Sequence, residues 1–392
     1  MKESKNHVDF LDHLRGVAIL AVFLFHCLAT IFGIKFPWNG LVRDFSIAPS
    51  LLALLPIPAC IGDAGVPIFF VVSGFCIHMS YQQSRKWGGF FARRFFRIYP
   101  PYLLAVLLLA LFLPETIKIF FGVGDAGRLQ VASHLLLIHN FSPDTNFGIN
   151  PSFWSIAVEV QLYLLYPVLL MLVNNFGWRK TLFMLLVCQL LFDCVAGATS
   201  TLVIYPSLRP IAFAIGHYDY WLGMSPLAFW FSWALGAFIA DAYLNKQPFP
   251  MAKASLISWF ALAFFCYFVR PLEPFRFLLF AVVTAIAISK LLSGIRPTIR
   301  IPNFLLNHLR LTGNWSYSIY LLHQPMLVAL NVCVVTFFPA TNHHLFLRFW
   351  LCVISWFVIM PFGGFWYRLI ERPSIAVGKR IIQHLGLSSK VG

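Results

Sequence analysis

The first apolar segment of the chain carries two side chains suited to acid–base and anion chemistry. Arg15 stands at its polar start, and His26 lies eleven residues further on, inside an apolar run. In an α-helix this spacing is about three turns, so both side chains share one face, roughly 16 Å apart along the axis. An ionisable group that deep in a membrane is costly and is usually functional. A histidine satisfied by a neighbouring helix or by water is an equally good interpretation of this segment alone.

A second apolar segment carries a carboxylate. Ser155, Glu159 and Tyr163 are spaced i, i+4 and i+8, so they form a polar stripe on an otherwise apolar helix. At 1.5 Å per residue, Glu159 lies about 10 Å inside the membrane edge. A lone carboxylate at that depth would be neutralised, whereas one beside a histidine can stay charged and orient the ring. We therefore predict a functional role for Glu159.

A third segment places Ser316, Tyr320 and His323 on one helix face. Counted from the cytoplasmic edge of a ~30 Å core, His323 is about 15 Å deep, His26 about 18 Å and Glu159 about 20 Å. The spacing thus predicts that three ionisable groups from three helices lie in one thin slab of the membrane. This agreement in depth is the main sequence argument for a site.

Three arginines, Arg93, Arg94 and Arg97, lie within five residues after the second apolar segment. We expect them in a cytoplasmic loop, where their planar guanidinium forks would bind phosphate oxygens. A loop that merely follows the positive-inside rule and binds lipid headgroups gives the same pattern, and charge alone favours it. Within the second segment, Ser73 has the chemistry of a nucleophile, but Ser73 and Gly74 fit close helix packing better.

The elements that must position these groups are membrane-spanning helices. Of 392 residues, 59% are hydrophobic and only 11% are charged, against about 25% charged in average proteins. Apolar runs near twenty residues recur along the chain, which predicts an all-α polytopic transmembrane bundle of about ten spans. They run roughly over residues 14–33, 63–81, 99–121, 152–173, 181–198, 225–244, 255–269, 275–292, 313–338 and 345–370.

The distribution of basic residues predicts the orientation. Most of the 29 Lys and Arg residues lie at the two termini and in the loops after even-numbered spans, which predicts that both termini are cytoplasmic. Because the net charge of +15 follows the membrane edge, it does not indicate nucleic acid as a partner. The eight cysteines are scattered without metal-ligand spacing, so no metal is expected.

Five motifs occur in order: Arg-x₁₀-His, Phe-Phe-x-x-Ser-Gly-Phe, Arg-Arg-x-x-Arg-x-x-Pro, Trp-Ser-x-x-x-Glu and Ser-Tyr-Ser-Ile-Tyr-Leu-x-His. Together they resemble the acyltransferase-3 family of bacterial integral-membrane acyltransferases, from Phe10 to about Glu371. The resemblance implies ten core spans in the bacterial inner membrane, and an acyl group taken from cytoplasmic acyl-CoA. It also implies that His26 is catalytic and that Arg15, Arg93, Arg94 and Arg97 serve the CoA side. Residues 1–372 would form this domain, and 373–392 a short basic cytoplasmic tail.

The expected function is therefore that of a membrane O-acyltransferase, most simply an O-acetyltransferase using acetyl-CoA. Its acceptor would be a hydroxyl of a cell-surface glycan or lipid-linked saccharide, such as lipopolysaccharide O-antigen or exopolysaccharide. His26 would act as general base or as transient acyl carrier, with Glu159 holding its tautomer. Supporting roles are expected for Ser73, Ser155, Tyr320 and His323, and membrane lipid is an expected partner.

Two other classes of function are alternatives to acyl transfer. A proton-coupled transporter would also need intramembrane His and Glu, but it would be expected to show internal repeats with broken helices, and none is evident. A non-catalytic lipid- or glycan-binding scaffold would not need three ionisable groups at one depth.

Aromatic residues of the outer loops would stack on the sugar rings of the acceptor. The aromatic belts that membrane proteins carry at the membrane–water interface give the same pattern. These residues are Trp38, Tyr205, Tyr218, Tyr220 and Trp221.

Overall fold

The computed structural model describes residues 3–32, 57–112, 125–202, 206–211, 223–249, 251–267, 269–295 and 301–387. Over these ranges the chain is helical and has no β-strand, which confirms the predicted all-α class. The α-helices are α1 (Glu3–Phe32), α2 (Ile57–Cys60), α3 (Gly65–Ser84), α4 (Trp87–Phe112), α5 (Asp125–Leu135), α6 (Pro143–Asn146), α7 (Trp154–Leu202), α8 (Trp230–Leu244), α9 (Leu256–Phe265), α10 (Phe275–Leu292), α11 (Asn303–Asn314), α12 (Ser316–Phe337), α13 (Leu345–Ile354), α14 (Trp356–Trp366) and α15 (Arg372–His384).

Eight helical segments in the described ranges are long and apolar enough to cross a membrane. They are Phe10–Phe32, Ile61–Gln82, Trp87–Leu111, Pro151–Thr199, Pro226–Leu244, Phe275–Leu292, Ser316–Phe337 and Leu345–His384. The 49-residue segment on α7 is interrupted at Gly177, whose φ of 75° is rare for residues with a side chain. The predicted spans 152–173 and 181–198 lie on either side of this break. Helix α9, in the predicted span 255–269, has only ten residues.

Glycines allow the central helices to approach closely. Helix α3 packs against α8, and a Cβ at Gly74 would collide with the Trp233 carbonyl, as one at Gly236 would with the Val71 carbonyl. This is the small-residue packing expected for Gly74. Helix α1 packs against α3, α11 and α12. The contact that brings α1 and α3 together also brings Arg15 near the middle of α3.

The arginine-rich segment is helical, so the expectation of a loop there was wrong. Arg93, Arg94 and Arg97 lie within the first three turns of α4. Phe90, Ile98 and Tyr102 are buried at helical spacing along the same segment, and their burial favours the helix. The arginines break the apolar run in the sequence, which conceals this periodicity. The consequence is that the helix sets the direction in which each arginine side chain leaves the backbone.

The C-terminal part is a nearly continuous helix from Leu345 to His384. Helices α13 and α14 are followed by one π-helical turn, Tyr367–Glu371, and then by α15. Residues 373–384 of the expected basic tail therefore form a helix. It packs against α4.

Candidate active site

His26 of α1 and His323 of α12 are hydrogen-bonded to each other across 297 positions of sequence. Nδ1 of His26 lies 3.0 Å from Nε2 of His323, and the ring centroids are 4.8 Å apart. His323 is fully buried, whereas His26 is only partly buried. Two of the three groups predicted to share one depth are thus in direct contact.

The surrounding carbonyls determine which nitrogen of each ring carries a proton. Nδ1 of His323 lies 2.9 Å from the carbonyl of Tyr320 and must donate, because a carbonyl oxygen only accepts. In the neutral ring, Nε2 of His323 is then an acceptor. The proton of His26 is therefore on Nδ1, shared between His323 and the Val22 carbonyl at 2.9 Å. Nε2 of His26 is therefore unprotonated, and its lone pair can accept a proton, as a general base must.

Glu159 of α7 belongs to a separate polar cluster. Its Oε1 accepts hydrogen bonds from Ser73 at 2.7 Å and from Tyr163 at 2.5 Å. Ser73 in turn accepts a hydrogen bond from the indole N–H of Trp233 at 3.3 Å. Ser73 is therefore held as a donor to Glu159.

No direct hydrogen bond joins Glu159 to His26 among the described residues. The partners of His26 are Val22 and His323, while those of Glu159 are Ser73 and Tyr163. The tautomer of His26, expected to depend on Glu159, is accounted for by His323 and a backbone carbonyl.

A cavity opens between α1, α3, α4, α7 and α12, with an empty volume of about 790 Å³ that includes its open mouth. Seven of the predicted site residues line it: Arg15, Ser73, Arg94, Arg97, Ser155, Glu159 and Tyr320. His26, His323 and Arg93 are not among its lining residues. The cavity therefore combines three cationic side chains with hydroxyl groups and one carboxylate.

Local contacts hold two of the cationic side chains. Arg15 forms an ion pair with Asp12 at 2.7 Å and donates a hydrogen bond to the Cys76 sulfur at 3.1 Å. Arg94 donates to the Ser80 hydroxyl at 2.8 Å. Each guanidinium has five donors, so these bonds leave donors available for a ligand. Such a cluster, partly removed from water, fits phosphate oxygens.

Tyr320 stands between the cavity and the histidine pair. Its ring lines the cavity and lies 5.4 Å from the ring of His323, between centroids. Its hydroxyl donates to the Ser152 carbonyl at 2.9 Å and lies 2.6 Å from the Ser155 hydroxyl. Phe69 packs edge-on against the same ring on the cavity side. A molecule in the cavity would therefore meet the Phe69–Tyr320 pair before it meets His26.

Two residues of this region were not singled out from the sequence. Cys76 lines the cavity, and its position three residues after Ser73 puts both on one face of α3. Glu371 is buried, accepts a hydrogen bond from Ser318 at 2.6 Å, and interacts electrostatically with Arg97 and Arg15. An acidic residue that directly follows an apolar run was the available signal for Glu371. The outer-loop aromatics Trp38, Tyr205, Tyr218, Tyr220 and Trp221 lie outside the described residues.

A second histidine pair lies in the connection between α4 and α7. His134 and His139 are both fully buried, and their rings stack with centroids 3.9 Å apart and planes 6° apart. Nδ1 of His134 donates to the Gln130 carbonyl at 2.7 Å. This pair is outside the eight candidate spans.

The chain is similar to known proteins over most of its length. Its residues 8–366 match the acyltransferase-3 family, described as an acyltransferase domain. It is 26% identical over 346 residues to the peptidoglycan O-acetyltransferase OatA of Listeria monocytogenes, covering 83% of this chain and 50% of that protein. It is 25% identical over 397 residues to the putative peptidoglycan O-acetyltransferase YrhL of Bacillus subtilis, covering 95% of this chain and 56% of that protein.

A third relative is acyltransferase MdmB of Streptomyces mycarofaciens, 26% identical over 198 residues, with 50% of this chain and 45% of that protein covered. The chain thus spans about half the length of the curated relatives it matches. No solved structure matches it significantly. The family match extends from α1 to the end of α14 and includes both histidines and the cavity, so this chain belongs to the acyltransferase-3 family.

Proposed function

We propose that this chain is an O-acyltransferase of the bacterial inner membrane that moves an acyl group, most simply acetyl, from acyl-CoA to a hydroxyl of a cell-surface glycan. The observation that carries the proposal is the arginine-lined cavity, whose lining residue Tyr320 has its ring 5.4 Å, between centroids, from that of His323 in the hydrogen-bonded pair of His26 and His323. Acyl transfer needs a site that binds the anionic donor and a base with a free lone pair, and the cavity and His26 fit these two roles.

On the donor side, Arg15, Arg94 and Arg97 would bind the phosphates of acyl-CoA at the mouth of the cavity. Arg93 lies on the same helix outside the cavity lining, and would add to the positive field that attracts the donor. The thioester would extend along Ser73 and Glu159 towards Tyr320. Ser155 would support this end of the cavity by holding the Tyr320 hydroxyl.

The chemical step would take place at Nε2 of His26. This nitrogen accepts the proton of the acceptor hydroxyl while the hydroxyl oxygen forms a bond to the thioester carbonyl. The C–S bond then breaks, and the CoA thiolate takes the proton back. The imidazolium that forms is stabilised by Nε2 of His323 and the Val22 carbonyl, which both accept from Nδ1. The same nitrogen would react if His26 carried the acyl group transiently, and quenched-flow mass spectrometry of the protein distinguishes the two routes by an acyl-histidine adduct.

The topology that fits this reaction has ten spans with both termini in the cytoplasm: the eight candidate segments, with α7 counted as two, and the short predicted span 255–269 that contains α9. The break at Gly177 divides α7 into two lengths of about 36 Å each, and each length is sufficient to cross a ~30 Å core. Arg15 and the first three turns of α4 then lie on the cytoplasmic side, where acyl-CoA is found. The relatives named for peptidoglycan support a glycan acceptor, and the family favours acyl transfer over proton-coupled transport.

The direct test is mass spectrometry of the cell-surface glycans with and without the gene, followed by assay of the purified protein in nanodiscs with labelled acetyl-CoA. We expect loss of an acyl mass in cells, and transfer of label to a glycan fragment in vitro. Arg94→Ala with Arg97→Ala should weaken binding of acetyl-CoA, whereas Arg310→Ala, an exposed arginine on α11, serves as the matched control. Unchanged glycans together with proton-dependent uptake of a solute would instead support a transporter.

A further inference from the structure

The C-terminal helical segment is too long for the membrane core alone. Leu345–His384 contains 40 residues, which is about 60 Å of helix, against a hydrocarbon core of ~30 Å. Helices α13 and α14 together cover the core, with a combined length of about 33 Å. Helix α15 therefore lies at or beyond the edge of the membrane.

One face of α15 exposes apolar side chains. Val377, Ile381 and Leu385 follow one another at i, i+4 and i+8, and they are 47%, 37% and 61% exposed. The stripe continues that of the preceding segment, where Phe365 and Leu369 are 57% and 56% exposed. An apolar surface that runs on from a membrane-spanning helix is a continuation of its lipid-facing side.

A neighbouring face of α15 is basic. Arg372, Lys379, Arg380 and His384 are all exposed, and the sequence has no Asp or Glu after residue 371. At 100° per residue, Arg380 and His384 lie beside the apolar stripe, whereas Arg372 and Lys379 lie on the side of the helix opposite to it. Basic residues next to an apolar stripe are typical of helices that lie in the surface of anionic membranes.

The third face of α15 is fixed to the part of α4 that carries the cavity arginines. Gly378 is buried against the ring of Phe96, and the Ser374 hydroxyl donates to the Phe96 carbonyl. Just after α15, the Gly386 carbonyl accepts from Lys86 at 3.1 Å. The helix therefore cannot turn its exposed faces away without breaking contacts beside Arg94 and Arg97.

We propose that α15 is an interfacial helix that binds anionic phospholipid headgroups of the leaflet on the cytoplasmic side. Arg380 contacts the phosphates, Lys379 adds to the positive field near the membrane surface, and the stripe of Val377, Ile381 and Leu385 inserts among the acyl chains. The continuity of this stripe with the lipid-facing residues of α14 favours a bilayer over a soluble acidic protein. Lipid bound here holds the first turns of α4 at the membrane surface.

The test is hydrogen–deuterium exchange of the full-length protein in two kinds of nanodisc, one of phosphatidylcholine and one of an equal mixture with phosphatidylglycerol. We expect the backbone amides of residues 372–385 to exchange at least several-fold more slowly in the anionic discs. Lys379→Glu with Arg380→Glu should abolish that difference, and should lower the retention of phosphatidylglycerol in native mass spectrometry by at least ~10-fold.

The matched control is Lys246→Glu with Lys253→Glu, which makes the same change in charge in the connection between α8 and α9, where both lysines are exposed. This control should keep the lipid-dependent protection. Lys379→Ala with Arg380→Ala is a milder second variant, in which partial loss is expected. Equal exchange of residues 372–385 in both kinds of disc would overturn the proposal, as would retention of phosphatidylglycerol unchanged in the charge-reversed protein. Protection obtained only by adding a soluble acidic protein would also overturn it.

Discussion

The described part of the chain contains two histidine pairs that are largely buried, yet they are held in different ways. His26 and His323 meet through a directional hydrogen bond of 3.0 Å between α1 and α12, whereas His134 and His139 stack face to face with planes 6° apart. The first arrangement fixes a tautomer and leaves one nitrogen of His26 as a base. The stack constrains the shape of the pair and aims no ring nitrogen of one histidine at the other. Burial of a histidine is therefore a poor guide to function unless the direction of its lone pairs is known.

The largest difference between the pairs should appear in turnover. His26→Ala should reduce acyl transfer by ~10²–10⁴, because the base is lost, while the protein still folds and inserts. His139→Ala should leave the rate per folded molecule nearly unchanged. The measurement is transfer of labelled acyl groups by purified protein, normalised to the monodisperse fraction. A His26→Ala protein with normal turnover would remove His26 from the mechanism.

Glu159→Gln tests whether the carboxylate acts through His26. The amide keeps an oxygen that accepts hydrogen bonds from Ser73 and Tyr163. It lacks the negative charge that strengthens these bonds and interacts with Arg15. A charge-assisted hydrogen bond contributes about 1.5–3 kcal/mol, so we expect a roughly 10–100-fold loss of kcat/KM. Because no hydrogen bond joins Glu159 to His26, the losses of Glu159→Gln and His26→Ala should multiply in the double variant. A double variant no worse than His26→Ala would place Glu159 in the same unit as the histidine.

His323→Ala should reduce turnover less than His26→Ala or Glu159→Gln does. Nδ1 of His26 still has the Val22 carbonyl at 2.9 Å as an acceptor, so the tautomer is kept. One neutral hydrogen bond contributes about 0.5–1.5 kcal/mol, which corresponds to a roughly 3–10-fold loss of kcat. The pH profile of kcat should shift as well, since the imidazolium has lost one acceptor. An unchanged profile together with unchanged kcat would reduce His323 to a packing residue.

The stacked pair should affect stability in acid rather than turnover. Burial lowers the pKa of His134 to about 4, and burial with the charge of His134 lowers the pKa of His139 to about 3, against about 6.5 in the unfolded chain. Between the folded-state and unfolded-state pKa values, the unfolded chain binds more protons than the folded protein. The free energy of unfolding is therefore highest above about pH 6.5 and falls as the pH is lowered.

Replacing one of the two rings separates this effect from general acid denaturation. His139→Phe keeps an aromatic ring in the stack and removes one titrating group, so Tm should fall less steeply between pH 6.5 and pH 4. Thermal unfolding in detergent at a series of pH values measures the slope, and His343→Phe, at an exposed histidine, is the control. An identical slope in the His139→Phe and wild-type proteins would contradict the assignment.

Much of the site could be predicted from the sequence because the signals are local. The apolar run around His26 predicted its depth, and the i, i+4 spacing of Ser155 and Glu159 placed both on one face of a helix, where both line the cavity. Pairing could not be predicted, because the depth of a residue does not determine the rotation of its helix. Thus His323, and not Glu159, lies against His26.

The sequence by itself determined the all-helical class and the family, since hydropathy and motif order are properties of the chain taken segment by segment. Only the tertiary structure decided that the three arginines lie on a helix, that Tyr320 separates the cavity from the histidines, and that α15 packs against α4. These features depend on which faces of distant helices meet. Close approaches at glycines such as Gly74 and Gly236 select those faces. The hydropathy pattern of a single segment does not show which face of another helix it will meet.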